Sequence, residues 1–283
     1  MPRTAYVNGQ YVPHNDAFVH IEDRGYQFAD GVYEVVPVLS GKLVDEERHL
    51  DRLEYSLSEL DIPMPMSRRA LQLVCAKVIE RNRLTNGFVY MQVTRGVAPR
   101  DHKYPKNVKP ALVVTAKQTK PQGAKVLEEG VSVKSVPDIR WRRRDIKSIS
   151  LLPNCMAKQA AVEEGAFEAW MVEEDGTVTE GSSTNAWIVT KDGVLVTRKA
   201  NHDILNGITR LGVLDVAGET GVKFEERPFT LEEAYEAREA FLTSSTNHIT
   251  PITRIDERSV ANGKPGSVTL NLREAYLNHI TSA

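Results

Sequence analysis

The sequence has little of several features that mark particular classes of protein. Its 283 residues include only two cysteines, Cys75 and Cys155, which are too few for a disulfide framework and lack the cysteine and histidine spacing of a zinc site. No apolar run is long enough to span a membrane, and the net charge of −2 offers no basic surface to nucleic acid. The first residues also lack the apolar core of a signal peptide. We therefore expect a cytoplasmic protein with no nucleic acid partner, no membrane contact and no bound metal.

The rest of the composition is that of an ordinary globular protein. Hydrophobic residues make up 41% of the chain and charged residues 26%, and the length suffices for two domains. Apolar periodicity and turn residues predict an N-terminal α/β block. Its predicted elements are a hairpin around Asn8-Gly9, strands over residues 31–38, 88–94 and 111–117, and helices over 45–60 and 67–83.

The second half of the chain predicts a larger domain of mixed elements. Residues 118–123 (Gln-Thr-Lys-Pro-Gln-Gly) are the best linker candidate, so we expect a small N-terminal domain over 1–117 and a larger C-terminal domain over 124–283. Strands and helices alternate there without a strict βαβ rhythm, which predicts an α+β fold. The predicted strands cover 131–136, 168–172, 185–189 and 240–244, and the predicted helices 154–164, 209–220, 230–237 and 268–279.

Lys147 is the first residue that points to chemistry. It is flanked by Ile146 and Ile149, and three arginines precede it over 142–144. A lysine becomes a nucleophile when its ammonium group is desolvated or repelled, because both effects lower its pKa. Taken alone, an exposed surface lysine would be the more common interpretation, but the motifs that follow favour an amine that forms a Schiff base.

Glu180 is a candidate partner for a ring nitrogen. It follows the strand-like Thr177-Val178-Thr179 and precedes a turn of small residues. A carboxylate that accepts a hydrogen bond from a pyridine nitrogen keeps that nitrogen protonated, so the ring can take up electrons from a substrate. A solvated turn residue is the alternative on local grounds.

Three further features suit a phosphate group. Gly207-Ile208-Thr209 opens a predicted helix, whose first N–H groups bind anions, and glycine permits close approach. Ser244 and Ser245 belong to a hydroxyl cluster after a predicted strand. Arg52, on a predicted helix, could add a two-point contact. An amine, an acid and a phosphate cradle together predict an enzyme that uses pyridoxal 5′-phosphate (PLP).

These motifs, in this order, resemble those of the class IV aminotransferases, and the resemblance covers nearly the whole chain. It implies fold type IV, with a small N-terminal α/β domain and a larger C-terminal α/β domain that has a mixed sheet, and it implies a homodimer. By motif match, Lys147 holds PLP as a Schiff base and Glu180 contacts the pyridine nitrogen. The matching motifs are His49-x-x-Arg52-Leu53, Lys147-Ser148 through Asn154, Glu180-Gly181-Ser182-Ser183-x-Asn185 and Gly207-Ile208-Thr209-Arg210.

The same match assigns the remaining contacts to the cofactor. Leu205 would pack on the face of the cofactor ring. The residues expected around the phosphate are Arg52, Gly207, Ile208, Thr209, Ser244 and Ser245.

Two stretches, 23–35 and 94–102, resemble the D-amino acid transaminases within this family. There a tyrosine, an arginine and a histidine bind the α-carboxylate of the substrate, and the matching residues are Tyr33, Arg100 and His102. The fork of arginine donors, a hydroxyl and an imidazole suit a carboxylate. The resemblance implies that the neighbouring subunit supplies Arg100 and His102. We expect D-amino acids and 2-oxo acids as substrates, with D-alanine and 2-oxoglutarate as the main pair.

Three alternatives stay open. A branched-chain L-amino acid transaminase would share the cofactor residues but would have an apolar pocket in place of Arg100 and His102. An aminodeoxychorismate lyase or an amine transaminase would have the same fold. A non-catalytic protein that binds PLP or phosphate is the third, although the presence of both Lys147 and Glu180 argues against it.

Overall fold

A computed structural model describes residues 3–120 and 122–282. The chain forms two compact units, the first made of Met1–Lys120 and Ile146–Ser150, the second of Pro121–Asp145 and Leu151–Ala283. The first boundary lies within the expected linker over 118–123. The return of the chain to the first unit at Ile146–Ser150 was not expected from the sequence, and the expected domain ranges stay a prediction.

The first unit is built on an antiparallel sheet with the strand order β2-β1-β6-β5-β3-β4. Three helices, α1 to α3, and a short 3-10 turn at His14–Asp16 complete the described part of the unit. The predicted hairpin, strands and two long helices are confirmed within a few residues. The strands are β1 Thr4–Val7, β2 Gln10–Pro13, β3 Gly31–Leu39, β4 Lys42–Leu43, β5 Gly87–Thr94 and β6 Ala111–Gln118, and the helices are α1 Arg24–Phe28, α2 Glu46–Ser58 and α3 Arg68–Asn82.

Local sequence explains these elements. Asn8 and Gly9 both have positive φ angles, 46° and 100°, as a two-residue hairpin turn requires. The Ser67 side chain accepts a hydrogen bond from the Ala70 N–H and thereby caps α3. The core of the unit includes three leucines of α2 spaced for one helix face, and truncating any of them to alanine would cost about 2–5 kcal/mol. These are Leu50, Leu53 and Leu57, which are at most 1% exposed.

One end of β3 positions the candidate lysine. Strand β4 pairs with Val38 and Leu39, at the far end of β3. At the other end the Ile146–Ser150 segment bonds to β3: the Tyr33 N–H donates to the Lys147 carbonyl at 3.0 Å, and the Ile149 N–H donates to the Gly31 carbonyl at 3.0 Å. The Lys147 N–H donates to Ser56 Oγ of α2 at 3.2 Å. The backbone of Lys147 is therefore fixed on both sides.

The second unit is built on a mixed sheet with the order β12-β11-β10-β13-β14-β7-β8-β9, and β15 pairs with β14. The pairs β11/β12, β14/β7 and β7/β8 are parallel. This confirms the expected α+β class with a mixed C-terminal sheet. The strands are β7 Val131–Pro137, β8 Glu168–Val172, β9 Val178–Gly181, β10 Asn185–Val189, β11 Leu195–Thr197, β12 Phe224–Glu226, β13 Glu239–Ser244, β14 His248–Ile255 and β15 Arg258–Ser259, and the helices are α4 Ala124–Glu129, α5 Leu152–Glu163, α6 Ile208–Glu219, α7 Leu231–Glu236 and α8 Ser267–Ser282.

Aromatic pairs fill the interior of the second unit. Trp187 and Phe241, on neighbouring strands, stack with their ring centroids 5.3 Å apart. Trp187 also donates from Nε1 to Thr243 Oγ1 at 3.0 Å, so its polar atom is satisfied inside the core. Trp170 and Phe229 meet edge to face at 6.0 Å. The two contacts of Trp187 help to fix β10 next to β13.

Two structural features are absent from the described residues. No helix in residues 3–120 and 122–282 is both long and apolar enough to cross a membrane. The same residues contain no group of three or more histidine, cysteine or acidic side chains placed to hold a metal ion. The expected cytoplasmic location stays a prediction.

Candidate active site

The Lys147 side chain is half-buried in the first unit and lies against Tyr33. Its amine nitrogen is 4.1 Å from the centroid of the Tyr33 ring. Within the described part of the chain this amine has no hydrogen bond and no ion pair with an acid. The tyrosine ring itself packs near the Tyr90 ring, with centroids 5.8 Å apart. The structure thus brings two of the predicted site residues together and leaves the amine available to a ligand.

Arg52 is held by a buried acid that the sequence did not single out. Its Nε donates to Glu34 Oε1 at 2.7 Å and its Nη2 to Glu34 Oε2 at 2.8 Å. Glu34 Oε2 also accepts a hydrogen bond from His49 Nδ1 at 2.7 Å, and because a carboxylate only accepts, this nitrogen carries the proton. Burial alone would raise the pKa of Glu34, but the charge and hydrogen bonds of Arg52, with the His49 bond, hold this pKa well below its usual range. Burial lowers the pKa of His49.

Arg100 and His102 share one aromatic neighbour, Phe28 at the end of α1. The guanidinium carbon of Arg100 lies 4.5 Å from the centroid of the Phe28 ring, and the His102 ring centroid lies 5.5 Å from it. Both side chains are exposed. Among the residues the structure describes, neither side chain has a hydrogen bond or ion pair, and neither has a ring contact with Tyr33. The predicted arginine and histidine therefore stand together, while Tyr33 stands with Lys147.

Glu180 is buried in the second unit and is held by three donors. Arg140 Nη1 donates to Oε1 at 2.6 Å, Asn185 Nδ2 donates to Oε2 at 2.9 Å, and the Leu205 N–H lies 3.2 and 3.1 Å from the two oxygens. Burial raises the pKa of Glu180, and the Arg140 charge and the Leu205 hydrogen bond oppose this rise. The orientation of the carboxylate is thus fixed by its own unit.

Arg140 bridges two buried acids, and the sequence reasoning missed it. Besides Glu180, it contacts Asp138 through Nη2 at 2.7 Å and through Nε at 3.0 Å. Asp138 also accepts from Thr179 Oγ1 at 2.7 Å. Burial would raise the pKa of Asp138, but the Arg140 and Thr179 hydrogen bonds and the Arg140 charge lower it. The sequence does contain a signal for this pair. Asp138 and Arg140 stand two positions apart just after β7, and alternate side chains of an extended chain lie on the same face.

Asn185 connects several of the predicted residues of the second unit. Its Nδ2 donates both to Glu180 and to the Leu205 carbonyl, each at 2.9 Å. A Cβ on Gly207 would lie only 2.1 Å from Asn185 Oδ1, so glycine is required there. In the sheet, Asn185 pairs with Thr243, which directly precedes Ser244. The motif contained Asn185, yet its sequence position alone did not indicate this connecting role.

The N-terminus of α6 presents backbone donors. The first bond within the helix runs from the Leu211 N–H to the Gly207 carbonyl at 3.0 Å, so the N–H groups of residues 208–210 lie ahead of the helical ladder. Gly207 provides no side-chain cap. Ile208 and Thr209 are each 3% exposed. Buried donors at a helix N-terminus suit an anion. At the end of β13, Ser244 Oγ accepts from the Asn247 N–H at 3.2 Å.

A family model and several known proteins resemble this chain over most of its length. The family model for Amino-transferase class IV matches residues 31–255. D-alanine aminotransferase of Listeria innocua serovar 6a is 43% identical over 279 residues, covering 98% of this chain and 96% of the relative. D-alanine aminotransferase of Staphylococcus haemolyticus is 39% identical over 280 residues, covering 98% of each.

Solved structures show the same fold. The branched-chain amino acid aminotransferase of Escherichia coli superposes with a TM-score of 0.92 at 24% identity, covering 100% of this chain and 96% of that one. The T.th. branched-chain amino acid aminotransferase in complex with N-(5′-phosphopyridoxyl)-L-glutamate gives a TM-score of 0.89 at 25% identity, covering 100% and 95%.

Proposed function

The chain belongs to the class IV aminotransferases, and we propose that it transfers the amino group of a D-amino acid, D-alanine above all, to a 2-oxo acid such as 2-oxoglutarate, with PLP as its cofactor. The observation that carries the proposal is the Lys147 amine, half-buried against Tyr33 with no acid or hydrogen-bond acceptor among the described residues. Relatives called D-alanine aminotransferase, at 39% to 43% identity, support a D-amino acid as the substrate. The branched-chain enzymes share the fold at 24% and 25% identity.

The residues present fit PLP. A Cβ at Gly207 would lie 2.1 Å from Asn185 Oδ1, so only glycine leaves space at this turn. The adjacent N–H groups of residues 208–210 have no backbone partner among the described residues, which suits a phosphate. Glu180 offers a buried, oriented carboxylate to a pyridine N–H. We propose further phosphate contacts from Arg52, Ser244 and Ser245, and a packing contact from Leu205 on the ring. Bound PLP supplies an electron sink that makes the Cα proton of an amino acid removable.

In the proposed mechanism Lys147 and Glu180 carry the chemistry. Lys147 would hold the cofactor covalently until the amino group of the substrate takes its place. The freed Nζ would then act as a base that takes the Cα proton, and afterwards as an acid that gives this proton back. Glu180 would accept a hydrogen bond from the ring nitrogen and keep that nitrogen protonated. Water would release the donor as its keto acid, and a 2-oxo acid would then accept the amino group in a second half-reaction, so the kinetics should be ping-pong.

We assign the preference for D- over L-amino acids to the residues that contact the substrate α-carboxylate. Arg100 and His102 stand side by side at Phe28 with their polar groups unengaged within the described residues, so they can bind a carboxylate. With Tyr33 they would fix the carboxylate, and this decides which face of Cα presents its hydrogen to Lys147. We propose that the chain forms a homodimer and that Arg100 and His102 serve the substrate of the partner. Exposed apolar side chains of the first unit support a partner surface: Phe18, Ile21, Tyr26 and Tyr104 are 77%, 76%, 77% and 53% exposed.

A half-reaction tests the activity. Purified protein loaded with PLP is mixed with D-alanine, L-alanine or L-leucine while the absorbance of the bound cofactor is followed. Conversion to the pyridoxamine form by D-alanine alone is expected. Conversion by L-leucine would favour a branched-chain L-amino acid transaminase, and no spectral band of bound PLP would refute the cofactor assignment. Pyruvate release from aminodeoxychorismate without any amino acceptor would indicate the lyase.

Mixed dimers test the cross-subunit role. Lys147→Ala and Arg100→Met are each expected to be inactive with D-alanine when expressed alone. Co-expression produces hybrids in which the intact Lys147 of one subunit meets the intact Arg100 of the other, so activity should return. If Arg100 serves its own subunit, both sites of the hybrid are defective and no activity returns. Sedimentation of the native protein establishes whether the dimer exists.

A further inference from the structure

We propose that Arg24 is a positioning residue for substrate carboxylate binding, and that it acts through the Arg100–His102 segment. The inference rests on the proposed function, in which Arg100 and His102 bind the carboxylate. Arg24 itself is only 3% exposed and lies on α1, outside the set of residues assigned to substrate or cofactor.

Arg24 contacts the segment at its middle. Its Nη1 donates to the carbonyl oxygen of Asp101 at 2.6 Å, and Asp101 is the residue between the arginine and the histidine. The same guanidinium lies over the Phe28 ring, with its carbon 4.7 Å from the ring centroid. Phe28 is also the ring that Arg100 and His102 contact. One side chain therefore holds both the backbone of the segment and the ring on which its two polar side chains rest.

Arg24 is in turn anchored to the body of the unit. Its Nε donates to Asp30 Oδ2 at 2.7 Å, and Arg95 Nε donates to the same oxygen at 2.8 Å. Arg95 also donates to the Leu60 carbonyl at 2.6 Å and to the Asp61 carbonyl at 3.0 Å, just after α2. Hydrogen bonds through Arg24, Asp30 and Arg95 thus connect the Asp101 carbonyl to the chain that follows α2.

The backbone around α1 reinforces this arrangement. Asp23 Oδ1 caps α1 at the Gly25 N–H, at 2.8 Å, and its Oδ2 accepts from Thr94 Oγ1 at 2.9 Å. The Arg24 N–H donates to the Gly96 carbonyl at 2.9 Å. A Cβ on Gly25 would lie 2.3 Å from the Thr94 Cγ2 atom, so the two segments approach too closely for any other residue. The position of α1 is therefore fixed relative to the strand that leads into the Arg100 segment.

The residue type at position 24 follows from these contacts. One side chain has to donate in two directions at once, to a carboxylate and to a carbonyl, and to lie over a ring. A guanidinium does all three, whereas an ammonium is a point charge with no flat face. Asp30 faces both Arg24 and Arg95, so these three groups keep one net positive charge, and the field near the ring that Arg100 contacts favours an incoming anion.

The test separates carboxylate binding from chemistry. Arg24→Lys and Phe28→Leu are compared with the parent, with Arg100→Met and with Arg68→Lys, an arginine of the same unit that pairs with Glu47 and Asp51. For Arg24→Lys and Phe28→Leu we expect KM for D-alanine to rise about tenfold while kcat changes little, as for lost ground-state binding. Equilibrium titration with propionate, which cannot react, should show the same loss of affinity. The half-reaction with isopropylamine, which has no carboxylate, should be unaffected.

A double variant shows whether Arg24 acts through Arg100. Adding Arg24→Lys to Arg100→Met should lower propionate affinity no further than Arg100→Met alone does, since the two changes remove the same contact. Thermal unfolding identifies any general loss of stability, and Val78→Ala, in the core of the same unit, supplies a destabilised reference. Parental KM and propionate affinity in Arg24→Lys and Phe28→Leu, with a defective Arg100→Met, would overturn the positioning role alone. A parent that reacts with no D-amino acid would overturn the proposed function instead.

Discussion

Glu34 and Arg52 form a two-point ion pair inside the first unit, with donor–acceptor distances of 2.7 and 2.8 Å. The carboxylate side chain is fully buried and the arginine side chain is 9% exposed. Because two parallel hydrogen bonds define both the position and the plane of a guanidinium, Arg52 cannot turn without breaking them. Glu34 therefore decides where this positive charge is presented.

Replacing Glu34 with glutamine should destabilise the protein. The change leaves the Arg52 charge buried without its counter-charge, and the free energy of unfolding should fall by about 3 kcal/mol. PLP affinity should fall as well, because Arg52 is no longer held in one orientation. Urea unfolding and PLP titration measure the two effects. Glu47→Gln, whose carboxylate pairs with Arg68 at the surface, is the matched control and should change both quantities little. Equal effects of the two variants would contradict the orienting role.

Replacing Glu180 with glutamine should leave PLP binding largely intact but slow the half-reaction with D-alanine. An amide cannot hold the ring nitrogen in its charged form, and we expect a loss of about a hundredfold or more, comparable to losing a main electrostatic contact. Stopped-flow absorbance measures the rate. Glu163→Gln on the exposed face of α5 serves as control. Unchanged turnover would remove Glu180 from its proposed role.

Removing the charge of Arg140 should shift the pH dependence of catalysis. Burial raises the pKa of Glu180 and Arg140 opposes the rise, so Arg140→Met should raise this pKa further. The acid then keeps its proton to higher pH, and the acidic limb of the kcat/KM profile should move to higher pH. Arg140→Lys, which keeps a positive charge, should shift the limb less. A profile that stays in place in Arg140→Met would show that Glu180 does not govern that limb.

Gly207→Ala should weaken cofactor binding. The added Cβ would lie 2.1 Å from Asn185 Oδ1, and Asn185 cannot retreat without losing its bonds to Glu180 and Leu205. We expect the dissociation constant of PLP to rise about tenfold or more, the equivalent of one lost hydrogen bond to a charged group. Gly218→Ala, late in α6 with open space around a new Cβ, should leave it unchanged. Equal PLP affinity in both variants would refute the close-approach argument.

His248 should make stability depend on pH. Burial, with a smaller effect of the Arg273 charge, lowers its pKa to about 4. Its ring lies near Tyr276, 5.9 Å between centroids, and its Nδ1 has no partner among the described residues. In the unfolded chain the pKa of this histidine is about 6.5. As pH falls from about 6.5 to about 4, the unfolded state therefore binds a proton that the folded state does not, and the free energy of unfolding should fall by up to about 3 kcal/mol.

The variant His248→Asn isolates this contribution. Asparagine tolerates the positive φ of 53° at this position and does not titrate. The difference in unfolding free energy between pH 7 and pH 5 should therefore be smaller in the variant, as measured by urea unfolding at both values. The same difference in both proteins would exclude His248 as its source.

Sequence reasoning located the elements that carry strong local signals. Helices α2 and α3 were predicted within two residues because they show helical periodicity, separating prolines and a serine cap. Strand β14 was missed because Pro251 lies inside it, and proline is unusual within a sheet. Helix α1 was missed because five residues show no period and Gly25 disfavours a helix.

In the candidate site, too, residues within short motifs could be predicted, whereas contacts between residues far apart in sequence could not. Motifs indicated Lys147, Glu180 and the start of α6, since each lies in a short recognisable run. Arg140 lies 40 positions from the acid that it holds, and no local pattern connects them. Pairings of this kind depend on how β7 and β9 are brought together by the sheet, which a single sequence does not reveal.

The return of the chain at Ile146–Ser150 constrains how the protein can be made and divided. A fragment that stops at Lys120 lacks the piece of chain that bonds to Gly31 and Tyr33, and it lacks Lys147, the proposed nucleophile. The first unit therefore cannot be completed during synthesis until residue 150 has left the ribosome, by which time part of the second unit has emerged. Neither half can be exchanged between proteins by a single cut at the linker.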